Sequence, residues 1–397
     1  ASRGYLWLAP GTGKVRALVF AFQNMAEEGV FNDPAFRERM GRAGVGILWI
    51  APGFGNEWDV SRGVQAAFDG LLSALSTESG HPEVSTVPLV PFGHSAQATM
   101  PWNFAAWNPD RTLCVISYKG DAPRTNLCGY GRSNVEWGRT RNIDGIPGLM
   151  VMGEYEWWTA RLLPALAFRM MYPQSCISFL GDAGRGHFDV SDRTTAYVVR
   201  FIEKSLEIRM DGDSLKKVDP SQGWLAQSWH PGEACRHQAA PASEYKGCRH
   251  EAFWYFDGEM AGEAERRYAE TFGKKASYLT FAAPDGSLYR YDPKGHCKIN
   301  GRITPDARGQ FKLRAVFADS TRTEAVSVAG REIRIRAVSG PVIQLDDSTF
   351  MVDTAHPSWS NPRRAGKITV CAESPSTADC KEAVQEMTVT VPYPEKK

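Results

Sequence analysis

The chain of 397 residues has no run of about 18 consecutive apolar residues, so no membrane-spanning helix is expected. It has almost no net charge: 46 Lys and Arg stand against 45 Asp and Glu, a balance of +1. Neither nucleic acid nor an anionic membrane is therefore expected as a partner. Tandem repeats and low-complexity blocks are absent, which leaves ordinary globular domains. Ala1-Ser2-Arg3-Gly4 does not read as a signal peptide and is compatible with a mature chain whose leader was removed. Cysteine is sparse: Cys114, Cys128, Cys176, Cys235, Cys248, Cys297, Cys371 and Cys380. The close pairs 114/128, 235/248 and 371/380 lead us to expect at least one disulfide and a periplasmic or secreted location. The repeated Cys235-Arg236-His237 and Cys248-Arg249-His250 offers four soft ligands. Its alternate-residue spacing differs from a zinc knuckle, so a disulfide flanked by exposed histidines is preferred. No metal and no cofactor is expected.

What is present is apolar material in short blocks. Hydrophobic residues make up 43% of the chain and charged residues 23%, enough to build a core. The length points to two domains. In the first half, strands at 15–22, 45–50, 87–92, 112–117, 146–152 and 176–180 alternate with helices at 34–40, 64–75, 96–107, 159–171 and 193–208. Such alternation predicts a doubly wound, mainly parallel sheet, with ligands beyond the carboxyl ends of its strands. Pro88 and Pro91 resist this, because proline removes a ladder donor from a central strand. The texture changes near residue 216. Residues 216–275 read as a linker and a helix packing on the first domain, and 276–397 as a smaller antiparallel β-sandwich of immunoglobulin-like type. The first domain is placed at 1–215.

Three strand ends carry the chemistry. Gly93-His94-Ser95-Ala96-Gln97 is a G-x-S-x-G elbow with Gln97 in the last glycine position. Gly153-Glu154-Tyr155-Glu156 follows another strand, and Gly184-Arg185-Gly186-His187-Phe188 follows the last. A serine needs a base, the base needs an orienting acid, and the oxyanion needs donors. The order Ser, acid, His supplies the first three.

On these motifs, residues from about Tyr5 to Met210 resemble the α/β-hydrolase superfamily. The resemblance implies Ser95 as nucleophile, His187 as base and Glu156 as acid, with Glu154 the competing acid. It implies an oxyanion hole from the Ala96 N–H and one donor in the Gln23-Asn24-Met25-Ala26 loop, a backbone N–H of Asn24 or Met25 or a side-chain amide. His94 reads as structural, and Asp189 as capping the final helix with Ser191 and Asp192. Arg124, Arg132, Trp157 and Trp58 are the residues expected to hold substrate, since guanidinium forks bind carboxylates and flat aromatics stack on sugar or aryl rings. The substrate expected is a small-molecule or glycan ester bearing acetyl, feruloyl or methyl groups, cleaved without a cofactor. The layout also resembles two-domain bacterial carbohydrate esterases of pectin methylesterase type. A peptidase, a polyester depolymerase and an inactive glycan-binding protein are the alternatives.

Overall fold

Strand β2 (Ala17–Phe22) is buried along its whole length, as a strand covered on both faces must be. The computed structural model describes residues 2–123, 143–154, 156, 158–183, 185–228, 235–269, 278–289, 291–292, 298–318, 325–326, 332–360, 365–375 and 383–392. They group into two units, Ala1–Thr271 and Phe272–Lys397.

The first unit is built on one seven-stranded sheet. Its strands are β1 (Arg3–Trp7), β2, β3 (Val45–Ala51), β4 (Leu89–His94), β5 (Val115–Tyr118), β6 (Pro147–Gly153) and β7 (Cys176–Asp182), in the spatial order β1-β3-β2-β4-β5-β6-β7. All neighbours are parallel except β1, which runs antiparallel to β3. This arrangement fits an α/β-hydrolase domain. Helices α1 (Ala26–Phe31), α2 (Pro34–Arg42), α3 (Val64–Ser79), α4 (Met100–Trp107), α5 (Trp158–Met171) and α6 (Asp192–Arg209) connect the strands. Local chemistry sets their starts. The Asp33 carboxylate accepts the Phe36 N–H ahead of α2, with Pro34 at its first position. Ser191 alone caps α6, accepting the Thr194 N–H.

The proline difficulty in β4 has a local solution. Leu89 is bridged to Thr112, but the ladder to β5 resumes only at Phe92↔Ile116, one residue out of step. Pro91 falls at that break, where its missing N–H would have met the Leu113 carbonyl. The buried Arg209 guanidinium donates to Leu113 O at 2.7 Å instead. The orphaned acceptor is thus satisfied from α6.

Residues beyond α6 do more than link. A short hairpin, β8 (Met210–Asp211) and β9 (Ser214–Leu215), precedes a small sheet of β10 (Trp224–Gln227), β11 (Ala240–Pro241) and β12 (Ala252–Tyr255), then α7 (Gly258–Ala269). Phe253 stacks on Phe179 of β7, and the Tyr255 hydroxyl donates to the Phe179 carbonyl at 2.7 Å. In the second unit, Gly366–Ser374 pairs antiparallel with both Arg334–Ser339 and Ala383–Val391. Alternate residues Ile368, Val370 and Ala372 point into a core with Phe281, Phe350 and Val389. The pairing is not purely antiparallel as expected: Lys298–Arg302 runs parallel to Ala383–Val391.

The expected Cys235–Cys248 disulfide is not formed. Both are free thiols, and Cys235 Sγ lies 2.9 Å from the His237 carbonyl. Cys114, Cys176 and Cys371 are free as well; Cys128 and Cys380, the partners expected for two of them, lie outside the described residues. No group of three or more metal-ligating side chains occurs among the described residues, and no described helix is long and apolar enough to cross a membrane.

Candidate active site

The chain turns sharply where β4 ends. Ser95 has φ +54°, the left-handed region a non-glycine residue occupies only at a cost of roughly 1–3 kcal/mol. Hydrogen bonds on both sides hold it there. Upstream, Glu27 Oε1 accepts the His94 N–H at 2.7 Å, and the Asn24 side-chain amide donates to the His94 carbonyl at 2.7 Å. Downstream, the Ala98 N–H donates to the Ser95 carbonyl at 3.0 Å. Small residues make the turn possible: a Cβ on Gly93 would lie 2.2 Å from the Gln97 carbonyl oxygen, and one on Gly120 would lie 1.9 Å from the Ala98 Cβ. Gln97 fits where the motif has glycine because its side chain leaves the turn and donates to Asn56 Oδ1 at 2.8 Å, on the loop after β3.

Three strand ends bring the expected residues together. His187 Nε2 is 2.6 Å from Ser95 Oγ, and His187 Nδ1 is 2.5 Å from Glu156 Oε1. The second Glu156 oxygen accepts the Gly153 N–H at 2.6 Å, and the carboxylate is almost wholly buried. Of the two candidate acids, Glu156 therefore meets the ring. Glu154 instead continues the main-chain ladder, its N–H donating to the Asp182 carbonyl at 3.1 Å.

Ala96 is exposed, and its N–H has no protein acceptor among the described residues. In the loop after β2, the Met25 N–H is taken by Glu27 Oε2 at 3.1 Å and the Asn24 side chain by His94. The main-chain donor left over in that loop is the Asn24 N–H.

Three of the expected substrate contacts, Arg124, Arg132 and Trp157, lie outside the described residues. The fourth is corrected. Trp58 is 1% exposed and packs with Phe20, Phe22, Phe68 and Phe104, so it has no face to offer a ligand. Asp189 does not cap α6; its Oδ2 accepts the Gly186 N–H at 2.7 Å and closes the loop that carries His187.

Sequence reasoning passed over Glu27 and Lys119. Glu27 is fully buried, and burial pushes its carboxyl up to about 7 against the donors from His94, Asn24 and Met25. Between the ordinary value of 4.5 and about 7, the folded protein keeps a proton that the unfolded chain releases. Its contribution to stability is full below that window and is lost as pH rises through it. We expect Glu27→Gln, uncharged throughout, to remove this decline, worth on the order of 3 kcal/mol at most. Thermal midpoints from pH 4.5 to 8 measure it; variant and wild-type curves that run parallel contradict the assignment.

His94, read as structural, is buried beside the site, and burial depresses its ring to about 3, so it is neutral at working pH. Its Nε2 lies 2.8 Å from the His187 carbonyl, which can only accept, so Nε2 carries the proton.

No protein-family model and no curated protein matches the chain. Solved structures similar to it include a soluble variant of monoglyceride lipase from Saccharomyces cerevisiae in complex with a substrate analog. That match has 10% identity, covers 52% of this chain and 91% of the other, and has a TM-score of 0.33. A phospholipase/carboxylesterase from Dyadobacter fermentans is 12% identical, with 51% and 96% covered and a TM-score of 0.31. Est1E from Butyrivibrio proteoclasticus with ferulic acid bound is 14% identical, with 52% and 94% covered and a TM-score of 0.31.

Proposed function

We propose that the chain is a serine carboxylic-ester hydrolase of α/β-hydrolase type. One observation carries this: a single imidazole lies within hydrogen-bond distance of a strained, half-buried serine hydroxyl on one side and a buried carboxylate on the other. His187 Nε2 takes the proton as Ser95 Oγ bonds to the ester carbonyl carbon. Glu156 accepts the Nδ1–H bond, fixes the tautomer and stabilises the imidazolium. The Ala96 and Asn24 N–H groups receive the negative charge on the carbonyl oxygen. The alkoxide leaves with the proton from His187. Water, losing a proton to the same ring, then adds to the acyl-enzyme and releases the acid with Ser95 restored.

The substrate we propose is an ester-decorated glycan carrying acetyl, feruloyl or methyl ester groups. Arg124, Arg132 and Trp157 in the sequence support this reading, and so does a β-rich second unit after the hydrolase, read as an immunoglobulin-like sandwich in the manner of pectin methylesterase-type enzymes. Such polymers place the protein in the periplasm or outside the cell. Assay of p-nitrophenyl acetate beside acetylated, feruloylated and methyl-esterified glycans tests both levels. Turnover of the small ester with release from one glycan class is the expected result. No turnover of any ester overturns the activity, and turnover of the small ester alone overturns the glycan.

A further inference from the structure

The loop that carries His187 is suspended by its main-chain carbonyls from side chains on neighbouring strands. The His187 carbonyl accepts from His94, the residue before the serine. The carbonyls of Gly186 and Asp189, which bracket the histidine, both accept from Lys119 Nζ at 2.6 Å. Lys119 follows β5, between the strand of the serine and the strand of the acid. Its ammonium also pairs with the Asp182 carboxylate at 3.1 Å, where β7 ends and the loop begins. Asp182 Oδ1 in turn accepts the Thr194 hydroxyl at 2.7 Å, where α6 begins. One buried cation thus gathers the start and the centre of the loop, and through Asp182 its exit.

Two features set this lysine apart from an ordinary structural ion pair. It is fully buried and held at φ +51°, a backbone state a lysine adopts only when its surroundings impose it. A buried ion pair is also a poor route to stability, since apolar residues of similar volume often serve as well or better. What apolar residues cannot supply is donors for two carbonyls at a fixed separation. Asp182 supports the same picture: burial pushes its carboxyl up, yet the Lys119 charge and the Thr194 hydroxyl outweigh this and leave it ionised below the usual range.

We propose that Lys119 is a positioning residue for His187, acting through the Gly186 and Asp189 carbonyls to hold the imidazole within reach of Ser95. This rests on the esterase reading above. Without the ammonium, the carbonyls turn toward other donors and the ring drifts from the hydroxyl. A displacement of about 1 Å at a reacting group costs ~10²-fold in rate.

The test uses the full chain with Lys119→Met/Asp182→Asn, which removes both charges together, and Lys119→Gln/Asp182→Asn, which returns one donor group. We expect both to fold, with circular dichroism and thermal midpoints close to wild type. For p-nitrophenyl acetate, kcat of the Met variant should fall ~10²-fold with KM within ~3-fold of wild type, and the Gln variant should lie between. The far-downfield proton resonance of the His187 Nδ1–H bond to Glu156 should shift or broaden in the same order. Folded variants with wild-type kcat and an unmoved resonance overturn the proposal. Failure of both variants to fold also overturns it, assigning the lysine to global stability. The resonance separates this idea from the esterase reading: a wild-type protein that shows it but hydrolyses no ester refutes the activity, while its movement in the variants still reports the positioning.

Discussion

Ser95→Ala is expected to lower kcat for p-nitrophenyl acetate by about 10⁶-fold, the scale seen when a triad nucleophile is removed. The cause is specific. Ser95 Oγ is placed against the base, at 2.6 Å from His187 Nε2, and alanine removes the hydroxyl that the base would deprotonate. The fold should be unaffected, because the turn is held by His94 and Ala98 through main-chain bonds that alanine retains. The remaining activity should be the modest acceleration that the oxyanion donors and substrate binding provide by themselves. Steady-state kinetics together with a thermal melt measure this; a folded variant with more than a tenth of wild-type kcat refutes the role of Ser95.

Glu156→Gln should cost about 10⁴-fold in kcat, less than loss of the serine but far more than loss of a surface charge. Its carbonyl oxygen can still accept the Gly153 N–H. Its amide then faces His187 Nδ1 as a donor and stabilises the tautomer protonated at Nε2. That tautomer cannot accept the serine proton. The variant should therefore fold and bind substrate with KM little changed, and lose chemistry. If kcat falls less than tenfold, the carboxylate neither sets the tautomer nor stabilises the cation, and another acid must be sought, with Glu154 first.

Much of this was legible in the sequence. Six of the seven main strands, and the alternation that makes them parallel, followed from short apolar runs bounded by glycine and proline. Strand β1 was missed because its burial is partial and it lies at an edge, where pattern is weak. The serine, the histidine and Glu156 as the preferred acid, with Glu154 competing, were named from motifs and resemblance; what the motifs do not show is the turn at Gly153 that brings the Glu156 carboxylate back to the ring. Trp58 shows the opposite failure. A tryptophan after a strand end resembles a stacking platform, yet the Phe20, Phe68 and Phe104 rings surround it. The Cys235 and Cys248 spacing suggested a bond that is not formed, because nearness along the chain does not align two Cβ vectors. Lys119, Glu27 and the Arg209 that completes β4 were invisible for one reason. Each acts on main-chain groups distant in sequence, and no motif records a partner carbonyl.

On the proposed function, Ser95, His187 and Glu156 form one working unit. Reaction with a fluorophosphonate followed by peptide mapping tests it most directly, because the reagent bonds only to a serine whose proton a neighbouring base removes. One adduct per chain is expected, on Ser95, formed by the wild type and greatly slowed in His187→Ala. No adduct, an adduct on another serine, or equal labelling with and without the imidazole would contradict it.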